Sequence, residues 1–529
     1  MTKITGPSLI RNGDVVALSA STARDAVKAR AAGLIDLAMQ QSHARATFGA
    51  FERLLMVEVL ALARAVLSLF LAASEERVRN ALGGRVARDG RIFRRAPAQQ
   101  RGLLTWFGLV RYERTYLREV VDAGQPARGF HPLDVELDLL ADRVSPNLLS
   151  MGVRLATRMA FSEARELLGW FVPSAPSTEV LEAATLGYGR YTPGWFEHAV
   201  APESDGEVLI IQLDSKGVPT ATDEELRRRR GPRAKGKKAP SPRHRGRQAR
   251  GRLTRKPRRK KGDKAKNAKM GTMVVMYTLR KQRGGKLLLG PINKRFYASF
   301  APKRHAVEVA RREATKRGFP PGAKRTVQIL TDGDNDLALY IGEIFPDALH
   351  SIDVMHVIEK LWDAGSSVHR EGSPECHAWV EQQKDTLYAG KAAEIVAELD
   401  RQLARIARSG PGNKFRREKL SEIRAYIDKR KRGMNYQELL QRDLELGTGP
   451  VEGAIKNLMG RRMDHGGMRW IKERAESVLQ LRCIDANGNW DTFAEHVAAA
   501  ARDVANKTGV RVRLQQRKPN DLPKLAIAA

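Results

Sequence analysis

Apolar residues recur at three- and four-residue spacing from Leu34 to Ala81, and this period predicts continuous helix. Glu58 and Arg64 interrupt its most apolar run, residues 54–73. Charged side chains at the centre of a bilayer are costly. We therefore interpret this helix as buried or self-associating, and we expect no membrane span.

The next segments predict a small sheet followed by short helices. Bulky and charged residues alternate over 91–120, a pattern typical of a β-hairpin or a three-stranded unit. Residues 129–147 are expected to form a turn-rich linker. Three short helical patterns follow within 148–187. They fit a DNA-binding helix-turn-helix unit or a plain helical connector, and the pattern alone does not separate the two.

The second half of the chain alternates apolar strands with helices. The runs EVLIIQL and TVQIL predict buried strands that end at Asp214 and Asp332. Further strands are expected between them and at LHSIDV, and residues 355–442 are almost entirely helical in pattern. The sequence therefore predicts a multidomain α/β protein with a long helical segment after the last strand.

The charge of the chain points to a polyanionic partner. The formal net charge is +33 and the pI is about 10.4. Residues 227–269 contain 22 Lys or Arg against one acid, Asp263. Such a segment buries no core, so we expect it to be disordered until it binds nucleic acid. The candidate contacts within it are Arg227, Arg228, Arg229, Arg230, Arg258, Arg259, Lys260 and Lys261.

Three acids are candidate metal ligands. Asp214 and Asp332 follow apolar strands, and ligands gather at the carboxyl ends of strands in α/β sheets. Glu452 follows a Gly-Pro pair that predicts a helix start. Two divalent ions held by such acids can activate an attacking oxygen and stabilise the leaving oxygen of a phosphodiester. Carboxylate ligands favour Mg²⁺ or Mn²⁺.

Each acid also has a purely structural interpretation. Asp214 could initiate a turn, and Glu452 could interact with a helix dipole. Asp332, Asp334, Asp336 and Glu343 imitate a calcium loop, but Leu337 stands where such loops need glycine. Asp334 remains the reserve candidate for the second acid. Asp353 and His356, three residues apart, could be auxiliary to the acidic site.

The segment around Glu452 also carries candidate DNA contacts. Four basic residues follow the acid and the segment closes on an aromatic residue; these candidates are Lys456, Arg461, Arg462, Arg469 and Trp470. Arginine and lysine bind phosphates, and a tryptophan stacks on bases. Core packing is the alternative role for Trp470.

Several of these stretches resemble the DDE transposases of bacterial insertion sequences, in particular the ISKra-type family of the Mutator-like superfamily. They are 108–120 with 129–149, then the block TDGDNDLALYIGEIFPDALHSIDVMHVIEKLW, and finally GTGPVEGAIKNLMGRRMDHGGMRW. Asp353 and His356 match the Asp/Cys-x-x-His motif of Mutator-like enzymes. Asp-Ser rather than Asp-Gly at Asp214, and the basic segment, depart from the family pattern.

The resemblance implies an RNase H-like core that carries Asp214, Asp332 and Glu452 and is interrupted by an all-α insertion. It also implies two Mg²⁺ or Mn²⁺ ions, cleavage of double-stranded DNA at terminal inverted repeats, and strand transfer by a homo-oligomer. We expect a cytoplasmic, nucleoid-associated bacterial protein, and the two cysteines fit a reducing compartment. The alternatives are a non-catalytic nucleic-acid-binding relative and a nuclease without strand transfer.

These observations predict six segments. They are an N-terminal helical and β-hairpin region (1–145), a helix-turn-helix-like unit (146–200), the first part of the catalytic core (201–354), a helical insertion (355–446), the last part of the core (447–500) and a basic tail (501–529).

Overall fold

The computed structural model describes residues 16–17, 19–222, 224, 268–282, 287–464, 468–508 and 514. Within them the chain forms two compact units, 1–192 with 490–529, and 193–489, each treated separately below. Both combine helices with a sheet, so the protein is of the mixed α/β class. The predicted basic contacts from Arg227 to Lys261 lie outside the described residues.

The first unit begins with two long helices, α1 (Ala20–His43) and α2 (Phe48–Ala81). The prediction of continuous helix from Leu34 is wrong at residues 44–47. There the Ala44 N–H donates to the Gln40 carbonyl and closes the last turn of α1. Arg45 has a φ of 52°, in the left-handed region that ends a helix.

One face of α2 carries exposed apolar side chains, Leu55, Val59, Val66 and Phe70, which we call the α2 stripe. Arg64, by contrast, is buried. Among the described helices, α2 alone is long and apolar enough to cross a membrane, judged by length and composition only. The core helices of soluble proteins and signal sequences pass the same test, so the expected absence of a membrane span stays a prediction.

The sheet of the first unit contains the predicted hairpin. Its strands are β1 (Val16–Ala17), β2 (Arg85–Arg88), β3 (Arg91–Thr105), β4 (Gly108–Glu119) and β5 (Gly129–Phe130). The order is β1-β4-β3-β2, with β5 also paired to β4. The segment predicted as a linker holds β5 and a short helix, α3 (Pro132–Glu136), because buried Asp134 accepts a hydrogen bond from Tyr112 of β4.

Three helices follow where three were predicted: α4 (Pro146–Arg158), α5 (Phe161–Phe171) and α6 (Thr178–Gly189). The C-terminal helix, Trp490–Thr508, belongs to the same unit. Its Trp490 donates to Ser150 Oγ at 3.0 Å and stacks on Tyr188. These contacts explain why residues 490–500 group with the N-terminal unit, although the sequence assigned them to the catalytic core.

The second unit is built on a five-stranded mixed sheet. After α7 (Thr192–His198) its strands are β6 (Val208–Pro219), β7 (Ala268–Lys281), β8 (Leu288–Ser299), β9 (Thr326–Thr331) and β10 (Leu349–Ile352). The order is β10-β9-β6-β7-β8. Strands β6, β9 and β10 run parallel, whereas β6, β7 and β8 form an antiparallel meander.

Helices cover both faces of this sheet, which explains why its strands are apolar without alternation. One face, with Leu209 and Ile211, packs on α8 (Lys303–Lys316) and α9 (Asn335–Ile344). The other face, with Ile210, belongs to a core that it shares with a larger set of helices. These are α10 (Val354–Val368), α11 (Pro374–Tyr388), α12 (Ala392–Arg405), α13 (Asn413–Arg430), α14 (Tyr436–Gln441), α15 (Gly449–Ala454), a π-helix (Ile455–Asp464) and α16 (Lys472–Ala486).

Candidate active site

Asp214 and Asp332 occupy neighbouring positions on the central strands. The parallel pairing of β6 and β9 ends at Leu213 opposite Thr331, and each aspartate is the next residue of its chain. The prediction that the strand ends at Asp214 is wrong. Strand β6 continues to Pro219 in its antiparallel pairing with β7, where Asp214 lies opposite Met273. Both aspartates are half-buried.

The pKa of Asp214 is affected by other acids nearby. Burial raises the pKa of its carboxyl to about 6, and the charges of Asp332 and Glu452 add to the rise. A hydrogen bond from the Ser215 N–H and the charge of His356 oppose it. Like charges raise an acid's pKa only at close range. Asp332 and Glu452 are therefore close enough to Asp214 for their charges to act on its carboxyl group.

Asp353 is the buried anchor beside this cluster. Its Oδ1 caps α10 by accepting the N–H groups of Met355 at 2.6 Å and His356 at 3.3 Å. Its Oδ2 accepts from the Thr448 N–H at 2.8 Å and from the Thr448 hydroxyl. Burial opposes its ionisation, but His356 and Thr448 outweigh burial and lower the pKa of Asp353 to about 2. Asp353 is consequently a permanent anion.

His356 supplies the opposite charge. Its Nδ1 lies 3.6 Å from Asp353 Oδ2, which is too long for a strong hydrogen bond but close for a charge pair. The contact with Asp353 raises the pKa of His356 to about 9, against the effect of burial, and Asp332 contributes in the same direction. The imidazole is therefore protonated at neutral pH and offsets part of the acidic charge.

One group within the described residues has the donor spacing of a metal site. It comprises Asp353, His356 and Glu452, whose ligand atoms lie within 4.8 Å of one another. Glu452 is the exposed member, and its Oε1 accepts from Thr448 Oγ1 at 3.2 Å. A metal ion binds only a neutral imidazole, so coordination by His356 requires loss of its proton.

The calcium-loop alternative does not fit the structure. Asp334 caps α9 by accepting the N–H groups of Asp336 and Leu337, and it pairs with Lys303. Asp336 also lies 3.1 Å from the Lys303 ammonium group. Two of the loop's acids are thus occupied by a lysine and by helix capping, which also removes Asp334 as the reserve acid.

Glu452 opens onto a cleft of about 390 Å³ that carries three acidic and three basic side chains. The cleft is lined by Asp214, Lys216, Glu452, Ile455, Lys456, Gly460, Arg461 and Asp464. The helix changes from α to π after Ala454, and π-helices recur at functional sites. Because a π-helix is wound more widely, residues four or five positions apart share a face. Lys456 and Arg461 line the cleft together with Glu452.

The remaining predicted DNA contacts divide into exposed and buried residues. Lys456, Arg461 and Arg469 are exposed. Arg462 and Trp470 are buried, with 2% and 8% of their surfaces exposed. The Arg462 guanidinium lies 4.7 Å from the Trp470 ring centre, and Trp470 Nε1 donates to the Met463 carbonyl at 3.1 Å. The structure therefore assigns Trp470 and Arg462 to the core, which corrects the prediction that they contact DNA.

Two residues of the site were missed by the sequence analysis. Lys216 lies two positions after Asp214, so the alternation of a strand places both on one face. It pairs with Asp464 at 3.2 Å. Thr448 precedes the helix of Glu452, and only the fold brings it to Asp353. The strand alternation was a usable signal for Lys216, whereas Thr448 had none.

Comparison of the chain with protein-family models and with curated proteins gave no match.

Proposed function

We propose that this protein is a DDE transposase, which cuts DNA at the terminal inverted repeats of its element and joins the ends to target DNA. The observation that carries the proposal is that Asp214, Asp332 and Glu452 lie near one another where the parallel pairing of β6 and β9 ends, beside a cleft that also holds three cationic side chains. An acidic centre next to cationic side chains suits a phosphodiester substrate. The acids can hold metal ions at the scissile bond, and the cations can bind the phosphates that flank it.

The topology of the second unit supports an RNase H-like core. Three antiparallel strands are continued by two strands parallel to the first of them, in the order β10-β9-β6-β7-β8. Asp214 lies on the first strand and Asp332 follows the fourth. The helices between Val354 and Gln441 form the proposed all-α insertion before Glu452.

The donor set fits magnesium or manganese. Three carboxylates that share a site are the hard oxygen ligands that these ions prefer. Asp214, Asp332 and Glu452 would hold two ions, with Asp353 and His356 beside them. When bound, such ions lower the pKa of an attacking water and stabilise a leaving oxygen. The high pKa of His356 favours a role as counter-charge over a role as ligand.

The protein's own residues bind and orient the DNA. Lys216, Lys456 and Arg461 line the cleft with the acids and would neutralise the phosphates that flank the scissile bond. The basic segment 227–269 would add affinity independent of sequence. Helices α4 to α6 are the proposed helix-turn-helix-like unit that binds the terminal repeats. Cleavage of paired ends needs at least two active sites, so we propose a homo-oligomer on DNA.

The decisive experiment compares wild type with Glu452→Ala on a labelled duplex of an element end, with Mg²⁺ or Mn²⁺. We expect the variant to bind the end and to lose cleavage and strand transfer. Normal cleavage by Glu452→Ala would contradict the assignment. Cleavage without joining by the wild type would favour the nuclease alternative, and binding without cleavage would favour the non-catalytic one.

A further inference from the structure

Two glutamines lie in the middle of otherwise apolar strands of the second unit. Gln212 of β6 and Gln328 of β9 are both completely buried. A buried amide destabilises a protein unless its donors and acceptors are satisfied. Both amides are satisfied largely by the backbone of one segment, residues 445–451, which leads to Glu452.

Gln328 binds both backbone groups of Glu445. Its Nε2 donates to the Glu445 carbonyl at 2.7 Å, and its Oε1 accepts from the Glu445 N–H at 3.1 Å. The Gln328 side chain thus makes the same two hydrogen bonds with Glu445 that the backbone of a neighbouring strand would make. The start of the segment is consequently fixed against the face of the sheet.

Gln212 binds the other end of the segment. Its Nε2 donates to the Gly447 carbonyl at 3.1 Å, and its Oε1 accepts from the Val451 N–H at 3.1 Å. Val451 immediately precedes Glu452 and lies in the first turn of α15. Tyr277 of β7 adds a third link, because its hydroxyl accepts from Gln212 Nε2 at 3.2 Å and donates to Glu445 Oε1 at 2.9 Å.

The same strands place the two aspartates. Gln212 lies two residues before Asp214, so the two share a face of β6, and Gln328 lies on β9, which Asp332 directly follows. The backbone of the sheet therefore fixes the positions of Asp214 and Asp332. The two glutamine amides of the same sheet fix the segment that leads to Glu452. We propose that Gln212 and Gln328 are positioning residues that set the position of Glu452 relative to the two aspartates. The catalytic consequence rests on the proposed function.

The test replaces both amides with apolar side chains of similar length, in Gln212→Leu/Gln328→Leu. Hydrogen exchange of peptides covering 444–454 measures the anchoring directly. Titration with Mn²⁺ alone measures the acidic site, and cleavage of an element end measures activity. The matched control is Gln383→Leu, which removes a buried glutamine of α11 outside this segment.

We expect faster exchange in 444–454, Mn²⁺ affinity lowered by about 10-fold or more, and slower cleavage, all relative to Gln383→Leu. The single variant Gln328→Leu removes only one of the two amide anchors, so it should give a smaller loss. It also serves if the double variant does not fold.

Unchanged exchange and unchanged Mn²⁺ affinity in a folded variant would overturn the proposal. Failure of the wild type to cut DNA would instead overturn the proposed function. The exchange and Mn²⁺ measurements would still decide the positioning role in that case.

Discussion

Asp214 and Asp332 stand side by side because each follows the last residue of the same parallel strand pair, Leu213 opposite Thr331. Burial raises the pKa of Asp214 to about 6, and the charge of Asp332 adds to the rise. Two acids on adjacent strands repel each other unless a proton or a cation lies between them. Ionisation of Asp214 therefore lowers stability at neutral pH, and a bound cation would offset this cost.

A pH dependence follows for the metal-free protein. A raised folded-state pKa means that folded Asp214 holds its proton more tightly than the unfolded chain does. Its stabilising contribution is complete below the unfolded pKa, near 4, and is lost as the pH rises through about 6. We expect the wild type to lose up to about 3 kcal/mol of unfolding free energy over this range relative to Asp214→Asn.

Urea unfolding at several pH values in EDTA measures this difference. Saturating Mn²⁺ should remove most of the loss in the wild type, because the cation binds the ionised acids. A difference between the two proteins that stays constant from pH 4 to 7 would contradict the pKa shift.

Thr448 provides a second prediction. Its hydroxyl binds the buried carboxylate of Asp353 and also Oε1 of Glu452. Thr448→Val removes this donor while keeping the shape of the side chain, so Asp353 loses a partner for a buried charge. We expect a loss of about 1–3 kcal/mol in unfolding free energy. Thr448→Ser retains the hydroxyl and should lie close to the wild type; equal losses in both variants would instead implicate packing of the methyl group.

The strands and their acids were predictable because they follow from local pattern. The runs before Asp214 and Asp332 are apolar without alternation, as strands covered on both faces must be. An acid at the end of such a run stands out. The long helical segment from Val354 to Gln441 was equally visible, since helical period persists throughout it.

The rest of the site depends on contacts between distant residues. The π-helix after Ala454 has no local sequence signature. Its Met459 packs closely against Gly271 of β7, where a Cβ atom would lie only 2.7 Å from Met459 Cε. Trp470 carried the same uncertainty, because an aromatic residue next to arginines fits both a core and a DNA surface. Its burial decided between these roles only once the fold was known.

The cationic side chains of the cleft predict a specific salt dependence of DNA binding. Lys456 and Arg461 line the cleft and are exposed, so each can neutralise one phosphate. Replacing both with Ala should lower the slope of log affinity against log salt by about 1.8. Fluorescence anisotropy with a labelled duplex, at several salt concentrations, measures the slope.

The control variant Arg408→Ala/Lys414→Ala removes two exposed charges outside the cleft and should change the slope less. Equal changes in the two variants would show that the cleft has no special part in DNA binding.

The α2 stripe predicts self-association. Val66 and Phe70 are exposed on one face of a 34-residue helix, and water contact of such a face is unfavourable. We expect a second copy of this helix to cover it, because an oligomer is required by the proposed pairing of DNA ends. Val66→Glu/Phe70→Glu should convert the wild-type oligomer to monomer in sedimentation velocity, whereas Phe415→Glu, at an exposed apolar residue of α13, should not.

A wild type that is monomeric at micromolar concentration, with and without DNA, would contradict the prediction. Binding of the wild type to lipid vesicles, lost in the double variant, would show that the stripe contacts membrane instead.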